Sequence, residues 1–194
     1  MKIFINIFNN FLLSSLFLSS VIAGERLEQY IEECQYQRQR IAAIVGCGRN
    51  HTKDFYDGQT NMEAHHHIGR YFFIDENPAV DPDLCMEFRE ITDKVIPDQT
   101  FQTIYFEYMT NYLKLTPEAY FEAAYRMLKP GGIVAFDATL WDNPEAWRLV
   151  PLFDALKAAG FLDIVERASD PSYQQANPFN SRPQGVIIAK RPLR

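Results

Sequence analysis

Three cysteines in 194 residues are too few and too irregular to build a scaffold. Cys34, Cys47 and Cys85 have no paired spacing and are odd in number, which argues against a disulfide framework. Cys47 and Cys85 instead read as small buried fillers. Positive charge is also scarce: 19 Lys and Arg stand against 25 Asp and Glu, a formal net charge of −6. That balance argues against a phosphate-binding surface and leaves nucleic acid disfavoured as a partner. No apolar run makes a stable membrane span, because Asn9, Asn10 and several serines interrupt the most hydrophobic stretch. Internal repeats and long low-complexity tracts are absent too.

One further absence is local. The stretch RIAAIVGCGRN (residues 40–50) ends an apolar run in Gly46-Cys47-Gly48, yet His51 stands where the G-x-G-x-x-G dinucleotide pattern has its third glycine. A dinucleotide sets its pyrophosphate on a helix N-terminus and uses that glycine for close packing. The pattern here therefore disfavours a nicotinamide oxidoreductase.

Hydrophobic residues make up 47% of the chain, enough for one globular domain that buries roughly 70% of its unfolded surface. Residues 1–23 carry one cation, Lys2, no acid, an apolar run from Phe11 to Leu18, and Val21 and Ala23 at small-residue positions. They are expected to form a signal peptide cleaved after Ala23, placing the product in a secreted or periplasmic location. The single domain is then 24–194, opening with an amphipathic helix over 24–39 in which Leu27, Tyr30, Ile31 and Cys34 share one face.

Residues 40–45 form a short buried strand, followed by a polar stretch over 49–69 with no helical period. RYFFID, DLCMEF and FQTIYFE supply three more strands. Thr116 and Pro117 start a helix as hydroxyl N-cap and first-turn proline, with Phe121, Ala124, Tyr125 and Leu128 as its apolar stripe. KPGG stops it and IVAFDA emerges as the fifth strand. Asn143-Pro144 opens another helix that Pro151 breaks or restarts and Gly160 ends. FLDIVERA and GVIIAK close the chain. Strands alternating with helices predict an α/β, Rossmann-like, doubly wound and mostly parallel sheet, with an antiparallel C-terminal strand pair.

Several of these pieces, in order, resemble the class I S-adenosylmethionine-dependent methyltransferases. VGCG is similar to the first glycine motif, and YFFIDENPAVDPDLCMEF to the second strand, its terminal acid and the turn into the third strand. FQTIYFEYM resembles the fourth strand, and YRMLKPGGIVAFDA, the most specific piece, the helix and fifth strand. The likeness runs from about Arg40 to the C-terminus. It is nearest to a compact subtype with a polar loop in place of the first helix, the position of residues 49–69.

The resemblance implies S-adenosylmethionine as cofactor, held by Gly46, Cys47, Gly48, Asp75, Glu87 and Phe88. Asp75 would accept from the ribose hydroxyls, Glu87 would face the adenine amino group, and Phe88 would pack on the adenine. Glu107, Tyr108 and Tyr112, beyond the fourth strand, are the candidates for contact with the methyl acceptor, whose identity is open. An acid after a strand also serves as a turn former or cap. His65, His66 and His67 do not make a metal site, since three adjacent side chains cannot converge without an irregular backbone. Two functions follow: methyl transfer, or, given Ile44 where the family usually has Asp, Glu or Asn, an exported binding domain that keeps the fold without catalysis.

Overall fold

The computed structural model describes residues 22–47, 70–107, 109, 113, 115–137, 149–168 and 185–194. The greater part of the expected signal peptide, the polar stretch 49–69, Gly48, Tyr108, Tyr112 and the three consecutive histidines lie outside these residues.

Seven strands form one sheet: β1 (Ala42–Val45), β2 (Phe72–Asp75), β3 (Leu84–Cys85), β4 (Phe101–Phe106), β5 (Leu128–Asp137), β6 (Leu162–Ala168) and β7 (Gly185–Lys190). Their order is β3-β2-β1-β4-β5-β7-β6. β1 to β5 run parallel, whereas β7 pairs antiparallel with both β5 and β6. The short strands are apolar on both faces, as strands covered on both sides must be. From β1 the chain winds outward to β2 and β3, then returns to the other side of β1 as β4. That reversal between β1 and β4 is a topological switch point, and ligands of such sheets bind outside the carboxyl ends of the strands there.

Three helices are described: α1 over 22–37, α2 (Pro117–Met127) and α3 (Leu149–Ala158). All contribute to one apolar cluster with Ala43, Val45, Phe72, Ile74, Ile104 and Phe106 from one face of the sheet. Alternate residues on the same strands, Ala42, Ile44, Phe73 and Tyr105, form a second cluster on the other face. Tyr30 anchors α1: its hydroxyl donates to the Ala42 carbonyl at 2.8 Å and accepts from the Ala42 amide at 2.9 Å. The first turn of α1 already includes Ala23, 4% exposed and part of the core.

Several local expectations are corrected. Thr116 is the N-cap residue of α2 with Pro117 behind it, but its side chain makes no capping bond; the hydroxyl accepts from Arg89 instead. The buried face of α2 is Tyr120, Phe121, Ala124 and Met127, so Tyr125 falls at its margin and Leu128 already belongs to β5. β5 begins at Leu128, before KPGG, and its register with β4 is broken between Phe101 and Thr103. Pro151 is the third residue of α3 as described, which fits a helix restarting there, and Asn143-Pro144 lies outside the described residues. Cys85 is exposed: β3 is a two-residue edge strand, and alternation buries Leu84 while turning Cys85 outward.

Candidate functional site

A cavity of about 430 Å³ opens at the switch point, lined by Val45, Gly46, Ile74, Asp75, Glu76, Asn77, Met86, Glu87, Phe88, Met109 and Tyr120. Such a volume is in the range of small-molecule sites. The exits of three adjacent parallel strands build it, each strand delivering its last residues to the same rim.

Gly46 turns the chain out of β1 with φ +72°, and its amide donates to the Ile74 carbonyl at 2.9 Å. A Cβ here would sit 2.4 Å from the Glu107 carbonyl oxygen and 2.8 Å from the Met109 sulfur. Glycine is required on both counts, by the left-handed conformation and by the close approach of the β4 exit. Cys47 follows, 1% exposed in the second apolar cluster. Its side chain does not line the cavity; its thiol lies 3.9 Å from Asp75 Oδ2. Burial, reinforced by the Asp75 charge, pushes that thiol far above its ordinary range, so it remains a protonated donor.

Asp75 ends β2. Its Oδ1 accepts from the Asn77 amide at 2.9 Å, an Asx turn that orients the carboxylate. The Asn77 side chain in turn caps the short helical turn Pro78–Val80. The Asp75 carbonyl accepts from the Met86 amide at 3.0 Å, drawing the β3 exit against that of β2. There Glu87 carries two partners: Tyr120 donates from its hydroxyl to Oε1 at 2.7 Å, and Arg89 Nε lies 2.6 Å from Oε2. Phe88 is 2% exposed and packs edge-on against Phe106 at 5.3 Å between ring centres.

Of the residues singled out from sequence, Gly46, Asp75, Glu87 and Phe88 therefore share one cavity, and Cys47 supports Asp75 from behind. Glu107 is packed beside the β1 exit. It is 3% exposed, near enough to Cys47 and Tyr71 for its charge to raise both, and its carbonyl abuts Gly46. Sequence reasoning missed Met109, Asn77 and Tyr120. Tyr120 had a signal: it stands four residues after Thr116, on the same face of α2.

The donor set suits S-adenosylmethionine. Its Asp75 and Glu87 carboxylates are acceptors of the kind that a vicinal diol and an exocyclic amine require. Val45, Ile74, Met86 and Phe88 give an apolar bed for a purine, and Gly46 leaves room for close backbone approach. Among the described lining residues there is no Lys, Arg or His, and among the described residues no cluster of metal-ligating side chains occurs.

No protein-family model matches the chain, and no curated protein matches it either. Solved structures do. An S-adenosylmethionine-dependent methyltransferase from Mesorhizobium loti is 15% identical with a TM-score of 0.52, covering 78% of this chain and 91% of its own. A 16S rRNA (adenine(1408)-N(1))-methyltransferase from Catenulisporales acidiphilia is 12% identical with a TM-score of 0.51, covering 86% and 93%. A phosphoethanolamine N-methyltransferase 2 from Haemonchus contortus is 13% identical over 79% of this chain with a TM-score of 0.47; the chain spans 49% of its length. Strand order, the antiparallel β7 and the first two superpositions agree: the chain has the fold of the class I S-adenosylmethionine-dependent methyltransferases.

Proposed function

We propose that the chain binds S-adenosylmethionine at the exits of β1, β2 and β3 and transfers its methyl group to an acceptor. The observation that carries this reading is the charge of the cavity. Asp75, Glu76 and Glu87 line it, with no cation among the described lining residues. A dinucleotide would bring a pyrophosphate into that field, whereas a nucleoside bearing a sulfonium, an ammonium and a single carboxylate is a net cation attracted by it. The bound cofactor supplies a methyl group already activated by the sulfonium. The residues of this chain bind and orient it. Asp75 holds the ribose diol, Glu87 the adenine amine, and the walls of Val45, Ile74, Met86 and Phe88 exclude water around the purine. Alignment of the acceptor then supplies much of the rate. The same acidity, with the net charge of −6, disfavours RNA as acceptor.

Affinity measurement on the full chain and on Asp75→Asn tests the binding half. A hydrogen bond to a charged group is worth about 1.5–3 kcal/mol, so the variant should bind S-adenosylmethionine roughly 10- to 100-fold more weakly. No binding to a folded, monodisperse sample refutes the reading; unchanged affinity in the variant removes the role given to Asp75.

A second reading, binding without transfer, is favoured by one observation: Ile44, at the position two before Gly46 where the resembled family usually has Asp, Glu or Asn, is a fully buried apolar residue. Release of S-adenosylhomocysteine in the presence of candidate amine and hydroxyl acceptors decides between the two. We further propose that residues 1–23 direct export; N-terminal sequencing of protein from the medium or an envelope fraction should begin at Gly24, and a retained Met1 refutes it.

A further inference from the structure

We infer that Tyr120, with Arg89 and Thr116, is a positioning device that fixes Glu87 as a pure hydrogen-bond acceptor, so that the cavity selects a 6-aminopurine over a 6-oxopurine. This rests on the cofactor reading above.

The device is built from two places in the chain. Glu87 and Arg89 leave β3 together. Thr116 and Tyr120 stand one helical turn apart at the start of α2, on one face. Tyr120 is fully buried and donates to Glu87 Oε1 at 2.7 Å. Arg89 pairs with Oε2 at 2.6 Å, and its other end donates to Thr116 Oγ1 at 3.3 Å. The guanidinium also lies 5.8 Å from the centre of the Tyr120 ring. The hydroxyl of Thr116 is therefore spent on Arg89 and not on the helix cap it could have made.

Each Glu87 oxygen is thus held by one donor, and an ionised carboxylate has about four acceptor positions in all. Those that remain can accept from an exocyclic amine. Against a 6-oxo group they would set lone pair against lone pair, and a site with the wrong polarity rejects its ligand strongly. Burial, with the Glu87 hydrogen bond and charge, pushes the Tyr120 phenol far above its ordinary range, so its proton stays on oxygen. The Tyr120 ring also stacks parallel to Phe88 at 6.3 Å, with 4° between planes. The same side chain therefore supports the apolar wall of the site and the orientation of its acid.

The test compares affinities for S-adenosylhomocysteine and its 6-oxo analogue, S-inosylhomocysteine, in the full chain and two variants. The unmodified protein should prefer the 6-amino ligand by about tenfold or more. Tyr120→Phe keeps the ring and its packing; it should weaken only the 6-amino ligand, by about tenfold, and erase most of the preference. Arg89→Gln should act in the same direction. The Arg89 side chain is 42% exposed, so this variant carries the test alone should Tyr120→Phe fail to fold. Equal weakening of both ligands, or an unchanged ratio in a folded variant, overturns the inference while leaving the cofactor reading intact. Failure of the unmodified protein to bind S-adenosylmethionine or S-adenosylhomocysteine overturns both.

Discussion

The two ends of the sheet use charge in opposite ways. At the carboxyl ends of β1, β2 and β3, three acids face a cavity. At the amino end of β5, two arginines are consumed by the main chain. Arg126 donates to the carbonyls of Ile96 at 3.0 Å and Ile91 at 2.8 Å, and pairs with Asp98. Arg191 donates to the carbonyls of Tyr125 and Leu128 and lies 4.5 Å from the centre of the Tyr125 ring. Gly131, with φ +77°, donates its amide to the Arg191 and Pro192 carbonyls. One end is a closed clamp that joins α2, β5 and the C-terminus; the other gathers three acids around a ligand-sized space. The comparison separates what holds the fold from what the fold holds. It also shows that the most specific sequence motif, LKPGG, belongs to the clamp.

The difference can be broken most severely at Gly46, where the two requirements meet. Gly46→Ala places a methyl group on the Glu107 carbonyl and demands a left-handed alanine. Overpacking and backbone strain together should cost about 3 kcal/mol of stability, and ligand binding should be lost with it. Chemical denaturation and calorimetry on the same sample check both. A variant of ordinary stability would mean that the β1 exit relaxes freely.

Arg191→Ala should act on the other end alone. It strips charged donors from the carbonyls at the end of α2, at an expected cost of about 2 kcal/mol, with affinity for S-adenosylmethionine unchanged within about twofold. Loss of affinity without loss of stability would contradict the separation of clamp from site.

The effect of pH is spread over several buried groups. Tyr30, Tyr71, Cys34 and Cys47 are all raised from ordinary values of 10.0 and 9.0, with burial as the leading cause in each. Below pH 8 both folded and unfolded chains hold these protons, so these groups leave stability level. Above about pH 9 the unfolded chain releases protons that the folded chain retains, and stability should fall by roughly 2 kcal/mol by pH 10. Denaturation midpoints at pH 7, 8, 9 and 10 measure this; a midpoint that rises above pH 9 would contradict the burial assigned to these groups.

Much of this architecture was legible because burial leaves a periodic trace. The runs at Ala42–Val45, Phe72–Asp75 and Phe101–Phe106 are apolar on both faces, and Pro117 marks the start of α2. Boundaries were less legible where one residue serves two elements. Leu128 continues the helical stripe of α2 but belongs to β5, and Cys85 looks buried in an apolar run only until β3 proves to be a two-residue edge. In the site, Gly46, Asp75, Glu87 and Phe88 could be read because each closes or follows a strand. Tyr120 was harder to read: its spacing from Thr116 was a signal, but a tyrosine at core spacing in a helix looks like packing, and here it also donates to Glu87. Glu107, which follows β4, is buried beside Gly46, Cys47 and Tyr71, and the neighbouring candidates Tyr108 and Tyr112 lie outside the described residues.

The central claim is that the acidic cavity takes a cationic nucleoside and not a dinucleotide. Parallel calorimetric titrations of the full chain with S-adenosylmethionine and with NAD test it most directly. The account predicts saturable one-to-one binding of S-adenosylmethionine, weakened in Asp75→Asn, and no heat of binding with NAD. Saturable binding of NAD with none of S-adenosylmethionine would contradict it.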